Sequence, residues 1–116
     1  MKYAILIYLD EPKMFSMPKE EVTEVVGAFK AYVEALREAG AFVDSVRLEP
    51  SRSATTLRID GGQRIVQDGP YADAKEQLAS LYVVDVVDGE AALEWAARCP
   101  ASPFAVLEIR PLWGQS

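Results

Sequence analysis

Two runs of this chain, Tyr3-Ala4-Ile5-Leu6-Ile7-Tyr8-Leu9 and Leu81-Tyr82-Val83-Val84, are apolar at odd and even positions alike. Successive side chains of a strand point to opposite faces, so a strand written this way needs cover on both sides. Both runs are far shorter than the ~20 apolar residues that cross a bilayer as a helix. They predict central strands over 3–9 and 81–87. Asp10-Glu11-Pro12 ends the first, because proline cannot donate to a ladder and restricts the residue before it.

Between them the period changes. From 18 to 39, Val22, Val25, Val26, Phe29, Val33 and Leu36 recur at helical spacing and are expected to face a core. Glu20, Glu21 and Glu24 lead the helix as its dipole prefers, and Gly40 suits the left-handed residue that closes it. Gly27 inside the helix costs about 1 kcal/mol relative to alanine; it signals either close approach of another backbone or simple tolerance. Two extended segments follow, 42–48 and 54–59, separated by the loop-like Glu49-Pro50-Ser51-Arg52-Ser53. Asp60-Gly61-Gly62-Gln63 then reverses the chain, so 54–67 reads as a β-hairpin.

After the 81–87 strand, Asp88 is a good N-cap for a short helix over 89–98, with Leu93, Ala96 and Ala97 on one face and Trp95 beside it. Pro100 stops that helix. In the last strand, 104–110, Ala105, Leu107 and Ile109 share one face, and Val106, Glu108 and Arg110 share the other. The order predicts a single α+β domain over 1–116 with ferredoxin-like split βαβ connectivity: an antiparallel sheet with both helices on one face. No segment is left to cover the other face. A second copy is the simplest cover, and a homodimer joined sheet to sheet is expected.

Composition narrows the chemistry. A net charge of −6 repels a phosphate backbone, and Arg47, Arg52, Arg58, Arg64 and Arg110 are dispersed, so no nucleic acid is expected as a partner. The chain has no histidine and one cysteine, which leaves little from which to build a zinc site, and it shows no Asp-rich calcium loop. Neither metal nor cofactor is expected. Cys99 can form no intrachain disulfide and reads as a buried spectator thiol. The N-terminus enters a strand at once, without a signal-peptide pattern, and no run suits a membrane span, so a cytoplasmic location is expected.

Unusual backbone chemistry and clustered charge coincide at Asp68-Gly69-Pro70-Tyr71-Ala72-Asp73-Ala74-Lys75-Glu76-Gln77-Leu78. Asp68 either caps the turn by accepting the Tyr71 amide or faces a cleft. Tyr71 and Lys75 would share a face if the segment formed a helical turn, presenting a phenol and an ammonium together. Glu108 and Arg110 point to the same side of the last strand, with Arg58 on a neighbouring one. An ion pair or dimer contact is their default role, and a buried general base is the sharper alternative.

The Asp68 to Leu78 motif, Met1-Lys2-Tyr3 leading into an Ile/Leu strand, Ala54-Thr55-Thr56-Leu57-Arg58, Leu93-Glu94-Trp95-Ala96-Ala97-Arg98-Cys99-Pro100 and Glu108-Ile109-Arg110-Pro111 occur in order. Together they resemble the YCII-related family, in particular its DGPF subgroup, named for Asp-Gly-Pro-Phe. The resemblance implies a ferredoxin-like domain that pairs into a dimeric α+β barrel, as in muconolactone-isomerase-type proteins. A His-Asp pair credited with catalysis elsewhere in the family has no histidine here to receive it. DGPF-type proteins are often linked to extracytoplasmic-function sigma factors, which implies a regulatory setting. Tyr71 replaces the phenylalanine of the motif, Asp73 a glutamate and Ala74 a threonine.

The resulting expectation is a small dimeric protein that binds a small molecule or regulatory partner in a cleft near the Asp-Gly-Pro-Tyr corner. Asp68, Tyr71, Lys75, Arg58, Glu108 and Arg110 are its candidate ligand-binding residues. The alternative is a cofactor-independent isomerase or lyase using carboxylate and tyrosine acid-base chemistry. No recognisable catalytic constellation decides between them.

Overall fold

The doubly apolar run near the N-terminus forms β1 (Lys2–Asp10), an inner strand of a four-stranded antiparallel sheet in the computed structural model, which describes residues 1–115. The chain continues through α1 (Glu11–Phe15), α2 (Lys19–Glu38), β2 (Phe42–Arg47), a 3-10 turn at Ser51–Ser53, β3 (Thr55–Asp60), β4 (Gln63–Asp68), β5 (Glu76–Asp85), α3 (Gly89–Arg98) and β6 (Ala105–Pro111). The sheet order is β2-β5-β1-β6. This α+β arrangement is compatible with the ferredoxin-like expectation. No described helix is long and apolar enough to cross a membrane.

Register sorts the faces. Ile5 stands opposite Tyr82 on one side and Ile109 on the other, while Leu6 stands opposite Leu81 and Glu108. The odd positions Tyr3, Ile5 and Ile7 are buried with Tyr82 and Val84, against Tyr32 and Leu36 of α2 and Ala92 and Ala96 of α3. The even positions Ala4, Leu6 and Tyr8, with Leu81 and Val83, remain half-buried on the other face. β5 begins at Glu76, earlier than the apolar pattern indicates, because backbone pairing with Leu9 and Asp10 extends the ladder through polar residues. A bulge between Ile7 and Tyr8 absorbs the register change.

Helix ends follow local chemistry. Asp10 closes β1 and caps the unforeseen α1, its carboxylate accepting from the Lys13 amide at 3.4 Å. α2 ends in a Schellman motif: Ala41 N donates to Leu36 O at 2.9 Å and Gly40 N to Arg37 O at 3.0 Å, with Gly40 at φ 69°. Asp88 caps α3 by accepting from the Ala91 amide at 2.9 Å.

Two helix faces differ from expectation. In α3 the buried stripe is Ala92 and Ala96, whereas Leu93 and Ala97 are exposed. Small residues four apart let the helix sit close to the sheet, and Trp95 packs edge-on against Tyr32 at 6.0 Å. In α2, Leu36 is fully buried and Tyr32, outside the expected stripe, joins it, while Val22 and Val26 stay about two-fifths exposed. The C-terminal half of the helix docks on the sheet and the N-terminal half stands off it.

Among the described residues β3 and β4 pair only with each other, through a turn in which Gly61 and Gly62 have φ of 57° and 82°. The radius of gyration is 16.2 Å, against about 13 Å for a compact domain of this length. The hairpin stands away from the main body.

A side chain at Gly27 would meet no atom within 4 Å, so the glycine is tolerated rather than required. Gly27→Ala should stabilise the protein by about 0.5–1 kcal/mol in a urea melt; a loss of stability would contradict open space there. Ala96→Leu should destabilise by about 1–3 kcal/mol through overpacking, whereas a neutral result would show that α3 can lift from the sheet.

Candidate functional site

The open sheet face carries a polar cluster. β6 pairs with β1 so that Arg110 lies opposite Ala4, Glu108 opposite Leu6 and Val106 opposite Tyr8. Tyr8 Oη donates to Glu108 Oε1 at 3.0 Å, and Arg110 Nε lies 3.4 Å from Glu108 Oε2. The hydrogen bond to Glu108 raises the Tyr8 pKa above its ordinary value; burial and the Glu108 charge add to it, and Arg110 opposes. Both ionic side chains are well exposed, so the pair contributes little stability by itself.

The other four candidates lie apart from this cluster. Lys75 Nζ approaches Asp10 Oδ2 at 3.7 Å. Tyr71 is 79% exposed and the residues around it form no helical turn, so it does not share a helical face with Lys75. Arg58 stands opposite Ile65 in the hairpin, and Asp68 opposite Thr55. The Asp68 corner is held by hydrogen bonds to the backbone of Gly69: Gly69 N donates to Ala54 O at 2.7 Å, and the Thr56 hydroxyl Oγ1 donates to Gly69 O at 2.8 Å. Gly69 has φ 101°, a conformation that favours glycine. The Asp68 carboxylate has no hydrogen bond to the Tyr71 amide among the described residues. The structure brings together Glu108 and Arg110, with Tyr8, and disperses the rest.

A larger concavity lies on the helix side. Where the N-terminal half of α2 stands off the sheet, a cavity of about 880 Å³ opens between Val22, Val25, Val26 and Phe29 on the helix and the ends of β1, β2 and β5. Phe29 stacks parallel to Tyr82 at 6.3 Å, and Tyr32 meets Tyr82 edge-on at 5.5 Å. Ser45 lies opposite Tyr82, and Arg47 opposite Ser80, so β2 and β5 place polar groups along the same wall. Burial, followed by the neighbouring Cys99, raises the Tyr82 pKa, and Arg47 opposes. Burial likewise raises the Cys99 thiol and, as the main cause, the Tyr32 phenol.

The segment following β1 closes one end of the cavity. The Glu11 carboxylate accepts from Ser51 N at 2.8 Å and from Ser51 Oγ, tying α1 to the 3-10 turn. Met14, Phe15 and Met17 then line the mouth. The six candidates chosen from the sequence are absent from the described lining of this cavity. Its signal was present in the α2 stripe, which carries more apolar residues than the sheet beneath it covers. No group of three or more His, Cys, Asp or Glu residues suited to a metal occurs among the described residues.

The model of the YCII-related domain matches residues 1–114, almost the whole chain described above. The chain belongs to the YCII-related family. It is also similar to the uncharacterized protein R00369 of Rhizobium meliloti (strain 1021), 39% identical over 114 residues that cover 97% of this chain and 92% of the relative.

This YCII-related domain thus presents two chemically different surfaces: a phenol, carboxylate and guanidinium on the open sheet face, and an apolar chamber with polar edges on the helix face. Glu108→Ala removes the largest cause of the raised Tyr8 pKa, and the acidic charge that disfavours phenolate. One tyrosine should therefore titrate at lower pH in an ultraviolet phenolate titration, and that step should be absent in Tyr8→Phe. An unchanged profile would separate Tyr8 from Glu108 in solution.

Proposed function

We propose that this YCII-related protein, a ferredoxin-like member of the DGPF subgroup, works as a dimeric α+β barrel that binds a small molecule in the cavity between α2 and the sheet. The cavity carries this reading. Its volume of about 880 Å³ falls within the ~300–1,000 Å³ of small-molecule sites, and its lining joins many apolar side chains to a few polar ones. Standing Val22 and Val26 off the sheet leaves apolar area wet at roughly 25 cal/mol per Å², which a ligand would recover. This reading puts the binding site in the chamber beside α2, whose described lining does not include the Asp68 corner.

Dimerisation is supported by two uncovered surfaces. One is the half-buried face formed by Ala4, Leu6, Tyr8, Leu81 and Val83. The other is one side of the hairpin, where Leu57, Ile59 and Val66 are 53%, 63% and 54% exposed. A lone two-stranded hairpin is marginal in water, and a second copy would cover both surfaces. A cytoplasmic setting fits the single buried thiol.

The Tyr8–Glu108 hydrogen bond favours one alternative, an isomerase or lyase working on the open face with these two groups as acid and base. Turnover lost in Glu108→Gln with binding retained would select it.

Sedimentation at micromolar concentration should give a dimer; a stable monomer would contradict the paired state. Val26→Trp, which fills the chamber from an exposed helical position, should leave the fold intact and abolish ligand-induced thermal stabilisation. Equal stabilisation of both proteins by the same compound would place its binding elsewhere.

A further inference from the structure

Within this cavity reading, we infer that the ligand is an amphipathic monocarboxylic acid whose carboxylate is held by Arg47 while its apolar body lies along Val26 and Phe29. Most other arginines near aromatic or acidic side chains are already engaged. Arg37 lies over Phe42 at 4.4 Å, Arg98 over Trp95 at 4.1 Å, Arg52 over Phe15 at 5.9 Å, and Arg110 beside Glu108. Arg47 has no such partner among the described residues, and it lines the apolar chamber. It stands on β2 opposite Ser80, two register steps from the Ser45–Tyr82 pair and therefore on the same face of the sheet. A guanidinium, two hydroxyls and a phenol therefore border one wall, and all can donate to an acceptor oxygen. The planar fork of arginine matches a carboxylate in two parallel hydrogen bonds.

The acidic residues of the lining restrict the charge. Glu11 is occupied by Ser51. Glu34 and Glu49 remain at the rim with Lys30, so a doubly charged head such as a phosphate would meet repulsion that a single carboxylate beside Arg47 would largely avoid. A cationic head would sit beside Arg47 and is disfavoured for the same reason.

Calorimetric titration of the full-length protein with octanoate, 1-octanol and octylamine separates head from body. Octanoate should bind about tenfold more tightly than octanol, as a charge-assisted hydrogen bond provides, and octylamine most weakly. Arg47→Gln should remove the advantage of the acid while leaving octanol affinity unchanged, and Arg47→Lys should restore part of it. Val26→Trp should abolish binding of both octanoate and octanol. Equal binding of acid and alcohol, or an acid preference that survives Arg47→Gln, would overturn the carboxylate inference and leave the cavity reading intact. Failure of all three to bind would overturn both.

Discussion

The antiparallel pairing of β1 with β5 is the interaction on which the rest of the molecule depends. Each strand is apolar on both sides, and their register puts Ile5 beside Tyr82 on one face and Leu6 beside Leu81 on the other. The first face is satisfied within the chain by α2 and α3. The second is left half-covered, and the polar residues of β6 are introduced there rather than in the core. Placement of the Tyr8, Glu108 and Arg110 cluster thus follows from a ladder that the core residues dictate.

The uneven docking of α2 has the larger consequence for function. Tyr32 and Leu36 bind its C-terminal half to the sheet, with the Tyr32 hydroxyl donating to Trp95 O at 2.7 Å. The Schellman turn at Gly40 sends the chain directly into β2. At the other end no equivalent anchor among the described residues holds the helix down, and the connection through α1 is tied instead to the 3-10 turn by Glu11 and Ser51. A rigid helix fixed at one end and spaced at the other encloses a chamber. The stacked Phe29 and Tyr82 rings mark where docking gives way to open space.

Strand and helix identities were largely legible because hydrophobic period, caps and glycines act over a few neighbours. Asp88, Gly40 and the Gly61-Gly62 turn behave as their local chemistry requires. The polar start of β5 was not legible, since its strand state comes from partners on β1. Nor was the buried side of α3, where alanines lie inward and Leu93 outward: composition ranks leucine as the core residue, but close approach to the sheet selects the small one. At the candidate site, the side of β6 shared by Glu108 and Arg110 was readable from alternation alone. Their link to Tyr8 required the β1–β6 register.

By itself the sequence determined an α+β domain with two strands that need cover on both faces, a long amphipathic helix, a glycine-turn hairpin and no histidine with which to build common catalytic sites. These are properties of neighbours along the chain. Only the tertiary structure decided that the apolar stripe of α2 is half core and half cavity wall, that Arg47 rather than the Asp68 corner borders the chamber, and that Asp68 sits in a turn held through the Gly69 backbone by Ala54 and Thr56. Those outcomes depend on how far a helix stands from a sheet and which strands lie side by side, distances that no local pattern encodes.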